Sequence, residues 1–211
     1  ISGMSEVILR EELPEHIREK VQDIQSSGRN LLSVVNDMLD FSELQSGKQT
    51  LVEVSYNITS TINDVINMAN AWKGDKNIEL IVDCDTDIPR SLIGDEQKIR
   101  RVILGLVNNA FKFTNDGCVT IEIGFRKEKY GINLFVSVRD TGIGIDEAHQ
   151  EKLFTTFSQV DTKRNRQEGG VGLGLAIAQA LIEQMGGYLS VKSHLGKGSE
   201  FQFVIPQKVE E

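Results

Sequence analysis

The 211-residue sequence predicts an α+β protein: a long helical hairpin first, then a domain in which helices alternate with strands. Three observations carry that expectation. From Ile17 through Val21, Ile24, Gly28, Leu31 and Val35 to Met38, four- and three-residue steps alternate, which is the seam of a helix that packs on other helices. Beyond residue 50 the period changes from segment to segment: threes and fours in 57–73 and 95–113, alternation or short apolar runs in 78–82, 119–123 and 132–138. Glycine turns at 140–145 and 168–175, and again in 193–201, punctuate these segments.

Composition narrows the function classes. A hydrophobic content of 39% argues against wholesale disorder. The net charge of −8 argues against a nucleic-acid surface, which is built from clustered Lys and Arg. It leaves a nucleotide open, because a phosphate site needs only a few local cations and backbone N–H groups. Cys84 and Cys118 stand alone, with neither a Cys-x-x-Cys nor a nearby His pair, and read as free thiols in a reducing, cytoplasmic compartment. No stretch has the apolar length of a membrane span and the start shows no signal peptide, so no membrane contact is expected of this fragment, although a longer parent protein could be membrane-anchored. The length suits one ordinary domain plus a smaller element, divided here as 1–48 and 49–211.

Taken in order, residues 1–12 read as a short helix with Met4, Val7 and Ile8 on one face and no N-cap, as if cut from something longer. Pro14 breaks it and is suited to open the second helix, which runs to about Ser46. Leu32 and Leu39 widen its stripe beyond what a two-stranded coil needs. A hairpin cannot bury such a stripe alone. A second copy completing a four-helix bundle would cover it, and so would the chain's own following domain. Gly47-Lys-Gln is the hinge, and 51–55 alternates like an edge strand. The helix of 57–73 buries Ile58, Ile62, Val65, Ile66 and Ala69; 78–82 is a strand and 87–90 a loop. Asp95 caps the central helix, whose core face is Ile99, Val102, Ile103, Leu106, Val107, Ala110 and Phe113. Asp116-Gly117 supplies the turn into the strands of 119–123 and 132–138. Residues 158–172 lack apolar periodicity and read as a long mobile loop of the kind that serves as a lid. A helix over 173–185, closed by Gly186-Gly187, and strands at 188–193 and 199–205 complete the sheet.

The chemistry centres on Asp140-Thr-Gly-Ile-Gly-Ile145, where an apolar strand delivers a carboxylate into a glycine turn. By itself that pattern also describes a tight turn with a solvated Asp. Three further stretches accompany it: Val107-Asn-Asn-Ala-Phe-Lys-Phe-Thr114, Glu168-Gly-Gly-Val-Gly-Leu-Gly-Leu175 and Ser193-His-Leu-Gly-Lys-Gly-Ser-Glu-Phe201. The three-residue step from Asn109 to Lys112 puts both on one flank of the helix, with Asn108 turned to solvent. Lys98 and Arg101 either lie toward the same edge or are ordinary solvated charges. His16, His149 and His194 read as surface residues. No Gly-x-x-x-x-Gly-Lys-Ser/Thr loop and no Ser/Thr-kinase signature set is present.

Together these stretches resemble the catalytic end of a sensor histidine kinase, whose ATP-binding domain is of the type shared with gyrase, the Hsp90 chaperones and MutL. Phe111-Lys-Phe-Thr114, Phe154-Thr-Thr-Phe-Ser-Gln159 and the last glycine turn point to the hybrid type. The resemblance implies a Bergerat fold, a two-layer α/β sandwich with a mixed sheet under three helices, and a hairpin that dimerises into a four-helix bundle. It implies ATP and Mg²⁺ as cofactors. Asp140 would accept a hydrogen bond from the adenine amino group, which favours adenine over guanine. Asn109 would bind Mg²⁺ through its amide oxygen, and Lys112 would meet the phosphates as the second catalytic residue. Gly142 and Gly144, then Gly170, Gly172, Leu173 and Gly174 at the start of the next helix, would line the nucleotide. Phe157, with Phe154, matches an aromatic box beside the lid and fits core packing equally well.

The implied reaction is γ-phosphoryl transfer from Mg·ATP to a His on the dimerisation helix. The homodimer and a receiver domain or response regulator would be the partners. Three departures stand out: the phosphoacceptor segment is absent, Gly105 replaces the family's usual Asn, and Val171 replaces Thr or Ser. The last two favour the alternative, a nucleotide-binding dimerisation module with degenerate chemistry. A gyrase-like ATPase is disfavoured because no acid occupies the helix position those relatives use to activate water.

Overall fold

The computed structural model describes residues 2–11, 13–45, 50–73, 76–150, 152–154 and 172–210. Helices α1 (Ser2–Leu9) and α2 (Glu15–Gln45) form the hairpin. The Pro14 carbonyl accepts from the N–H groups of Ile17 at 2.9 Å and Arg18 at 3.0 Å, which opens α2. The Arg18 guanidinium reaches back to the carbonyls of Leu9 (3.3 Å) and Glu11 (3.4 Å), serving acceptors that the end of α1 leaves unpaired.

Most of the predicted seam stands open in the single chain. Leu31 is 63% exposed and Leu39 59%, with Ile24, Leu32, Val35 and Met38 also exposed. Among the described residues it is the C-terminal end of α2 that meets the following domain: Phe41 and Leu44 pack against its core, and Asp40 pairs with Arg101. The chain's own second domain therefore covers little of the stripe.

That second domain is a sheet with helices on one face. The strands are β1 (Val54–Asn57), β2 (Asn77–Cys84), β3 (Ser91–Gly94), β4 (Asp116–Glu128), β5 (Gly131–Asp140), β6 (Tyr188–His194) and β7 (Gly198–Val209). Their order is β1-β3-β7-β5-β4-β2, with β6 also on β7; β2 and β4 are parallel and every other pair antiparallel, so the sheet is mixed. Helices α3 (Ile58–Lys73), α4 (Glu96–Phe113) and α6 (Gly174–Gln184) cover it, and a short α5 (Glu147–Gln150) follows β5. The long helices bury the faces their periodicity predicts, including Ile58, Ile62, Val65 and Ala69 of α3 and Ile99 to Ala110 of α4.

Differences from the sequence-based expectation are local. The edge strand lies at Val54–Asn57 rather than 51–55. Asp116 and Gly117 are the first residues of β4, with Gly117 at φ 123°, rather than a separate turn. Phe111 is the aromatic buried on α4, whereas Phe113 is half-buried at the helix end with the Lys112 ammonium 5.2 Å from its ring centroid. Strand β3 and helix α5, four residues each, are too short to show a period. The expected lid, apart from Gly172, lies outside the described residues.

Candidate functional site

Along β5, Ile132, Leu134, Val136 and Val138 face the helices, and alternation carries Asp140 onto the same inner face. Cross-strand register makes a row of Val119, Asp140, Ser199 and Ser193 over β4, β5, β7 and β6. One step deeper the row is Ile121, Val138, Phe201 and Val191, all apolar. The core face thus ends in a polar row, with Asp140, Ser199 and Ser193 each buried at 6–7% exposure. Polar groups at such depth need partners or a ligand.

The Asp140 carboxylate accepts from the Gly142 N–H at 2.8 Å. Burial raises its pKa above the usual carboxylate value, outweighing the N–H groups of Gly142 and Ser199, which act to lower it. The turn after it is clamped from both sides. On one side Thr141 N–H donates to the Cys118 carbonyl (3.1 Å) and Ile143 N–H to the Phe113 carbonyl (3.2 Å) at the end of α4. A Cβ on Gly142 would come within 2.2 Å of that Phe113 oxygen, so this contact admits only glycine. On the other side Gly144, at φ 66°, lies so close to the β6–β7 turn that a Cβ would sit 2.0 Å from the His194 carbonyl.

Helix α4 forms the adjoining wall. Asp95 caps it, accepting from the Lys98 N–H at 3.1 Å and from the Val52 N–H at 3.0 Å. Asn109 and Lys112 are half-buried, Asn108 is exposed, and a side chain at Gly105 would enter open space. Helix α6 packs against α4 and begins with Gly172 (φ 73°), the buried Leu173 and Gly174. The N-cap Leu173 makes no side-chain cap bond to the first N–H groups of α6, and a helix start is where backbone N–H groups can meet an anion.

Of the predicted residues, Asp140, Gly142 and Gly144 form one turn, Asn109 and Lys112 share a flank of α4, and Gly172, Leu173 and Gly174 open α6. Phe157 and Gly170 lie outside the described residues. Lys98 and Arg101 are both engaged in ion pairs rather than simply solvated. Lys98 Nζ is held by Asp95 (2.7 Å) and the Thr50 carbonyl (3.1 Å), and Arg101 by Asp40. Sequence reasoning missed Ser193 and Ser199, though each occupies an inward position of its strand. Among the described residues no group of three or more His, Cys, Asp or Glu side chains could hold a metal ion.

An acid at the end of a mixed sheet, a glycine turn on the final carbonyl of one helix and the start of a second helix are the elements of the candidate site, and comparison with known proteins gives the family. Residues 94–209 match the family described as histidine kinase-, DNA gyrase B- and HSP90-like ATPases, to which the chain belongs. Residues 1–47 match the His kinase A (phospho-acceptor) domain. The chain is homologous to hybrid sensor kinases. It is 38% identical over 206 residues to the signal transduction histidine-protein kinase BarA of Escherichia coli, covering 97% of this chain and 22% of that protein. It is 36% identical over 202 residues to the sensor histidine kinase GacS of Pseudomonas protegens, covering 95% and 22%. The crystal structure of full-length ShkA in complex with AMPPNP superposes with a TM-score of 0.80 at 30% identity, covering all of this chain and 43% of that one. The chain spans about a fifth (22%) of the length of these curated relatives.

Proposed function

We propose that the chain is the catalytic end of a cytoplasmic sensor histidine kinase, with a dimerising hairpin in 1–48 and an ATP-binding domain in 49–211. It binds Mg·ATP between the Asp140 turn, α4 and the start of α6, and passes the γ-phosphoryl group to a His on the dimerisation helix. The buried Asp140 carboxylate, ending the core face of the sheet beside a glycine turn, is the observation that carries this reading. A carboxylate accepts the adenine amino group and repels a carbonyl at the same position. ATP follows from the family and from the AMPPNP bound to ShkA.

Asn109 would hold Mg²⁺ through its amide oxygen. The residue suits the ion, being an oxygen donor, half-buried on the α4 flank, for a cation that keeps water and phosphate ligands besides. When bound, Mg²⁺ neutralises phosphate charge. Lys112 adds a second positive charge from the next turn of the same flank, and the N–H groups at the start of α6 receive the phosphate oxygens. Phe157 and Gly170 remain proposed nucleotide contacts from the family resemblance and lie outside the described residues. Catalysis of this kind is positioning and charge stabilisation rather than covalent chemistry by the protein.

The open stripe of α2 supports a homodimer joined through the hairpin, and the hybrid relatives support a receiver domain or response regulator as the onward acceptor. Titration calorimetry with ATP, with Mg²⁺ and after its chelation, tests the assignment. Saturable binding weakened by chelation is expected, and absence of binding under both conditions refutes it.

A further inference from the structure

Ser193, like Ser199, is a member of the polar row to which nucleotide binding assigns no role. Its hydroxyl offers one proton and two lone pairs. Three partners surround it: the Ile145 N–H donates to it at 2.8 Å, the Gly198 carbonyl lies at 3.0 Å and the Ser199 hydroxyl at 2.9 Å. One arrangement satisfies all three. Ser193 donates to Gly198 and accepts from both Ile145 and Ser199. The single Ser199 proton is then committed to Ser193, and only lone pairs remain on the Ser199 oxygen, on the inner face directly across the ladder from Asp140.

We propose that Ser193 is a positioning residue for purine selection: it pins the glycine turn through Ile145 and turns the Ser199 hydroxyl into an acceptor beside the Asp140 carboxylate. From this row the site then offers two acceptors, the Asp140 carboxylate and the Ser199 oxygen, to the purine 6-position. A 6-amino group is matched, and a 6-carbonyl faces oxygen on oxygen. The inference rests on the reading of Asp140 as the partner of the adenine amino group. Gln150 makes the hydroxyl separable from the fold. Its amide donates to the Ser193 carbonyl at 2.8 Å and the Ile145 carbonyl at 3.2 Å, tying the same two residues together through their backbones.

The test measures dissociation constants of ATP, ITP and purine riboside triphosphate for the parent chain, Ser193→Ala, Ser193→Thr and Asp140→Ala, with melting temperatures taken without nucleotide. In Ser193→Ala the freed Ser199 proton can turn toward a carbonyl. The preference for ATP over ITP should therefore narrow by about three- to tenfold, the range of one net hydrogen bond. Ser193→Thr, which keeps the hydroxyl, should restore it. An unchanged ATP-to-ITP ratio in Ser193→Ala, or an equal loss for all three nucleotides, overturns the proposal and leaves Ser193 a structural residue. If Asp140→Ala collapses the ratio and Ser193→Ala does not, this proposal alone falls. If Asp140→Ala also leaves the ratio intact, the adenine reading falls with it. Should Ser193→Ala not fold, Ser199→Ala reads the same hydroxyl directly, and an unchanged ratio there is equally fatal.

Discussion

Asp140→Asn separates two demands that meet at one buried side chain. Asparagine keeps the shape and one oxygen, so the bond from the Gly142 N–H at 2.8 Å can persist. The other oxygen becomes an amide donor. Against adenine this sets donor to donor, and an unsatisfied buried donor costs about 1–3 kcal/mol, roughly fivefold to a hundredfold in ATP affinity. Against a 6-carbonyl purine the same group is a partner, so ITP should gain and the preference invert. Stability should move the other way. Burial raises the Asp140 pKa above 3.8, so the folded state disfavours the carboxylate. For a carboxyl raised in this way, its contribution to stability is fully present below the unfolded value and is lost as pH rises through the folded one. At pH 7 the parent chain bears that penalty and the Asn variant does not. The nucleotide-free variant should melt at or above the parent at neutral pH, with the advantage vanishing as pH falls toward 3.8. Calorimetry with both nucleotides and melting curves across that window decide the matter. Unchanged ATP affinity refutes the adenine argument, and a variant less stable than the parent by the same margin at every pH refutes the burial argument.

Three further substitutions probe the walls of the site. Gly142→Ala places a Cβ 2.2 Å from the Phe113 carbonyl and 2.9 Å from Asp140 Oδ1. Overpacking against backbone costs about 1–3 kcal/mol, so ATP binding should weaken at least about fivefold while far-ultraviolet circular dichroism stays near that of the parent. Asp95→Ala removes the α4 cap, the Lys98 partner and the acceptor of the Val52 N–H. Urea unfolding should show a loss of about 2–4 kcal/mol. Burial pushes the Asp95 pKa up, but its bonds to Lys98 and Val52 outweigh this and hold it below 3.8. Its contribution is therefore present above that value and lost as pH falls through the folded pKa. Gly105→Asn enters open space on the exposed flank of α4. It should add a few tenths of a kcal/mol to stability and raise phosphotransfer to a supplied His-bearing chain with ATP affinity nearly constant; a fall in rate would show that glycine is needed there.

Long periodic segments were the most legible part of the fold. The α4 face from Ile99 to Ala110 and its Asp95 cap stand where spacing and capping chemistry place them, because one helix's own burial decides both. The register of Asp140 was legible for the same reason, through the alternation of β5. Two kinds of feature were not. Elements of four residues, β3 and α5, carry too few positions for a period. Pairings distant in sequence cannot be read along the chain: Arg101 meets Asp40, and Ser193 meets Ile145, only after the strands are ordered. The exchange of Phe113 for Phe111 in the core reflects the helix end. Thr114 turns extended, and the last aromatic is left half-covered under Lys112. Ser193 and Ser199 had a usable signal, since each continues the inward parity of its strand with a polar residue; that parity marks where the core face gives way to the site.

Phosphoryl transfer itself provides the most direct test. The chain is incubated with γ-labelled ATP, Mg²⁺ and a second chain that carries an acceptor His on an intact dimerisation helix. Acid-labile label is expected on the added chain and none on this one, with loss of the label in Asn109→Ala and Lys112→Ala. ATP binding without any transfer would instead support the degenerate dimerisation module, and acid-labile label on His16 would contradict the placement of the acceptor on another segment.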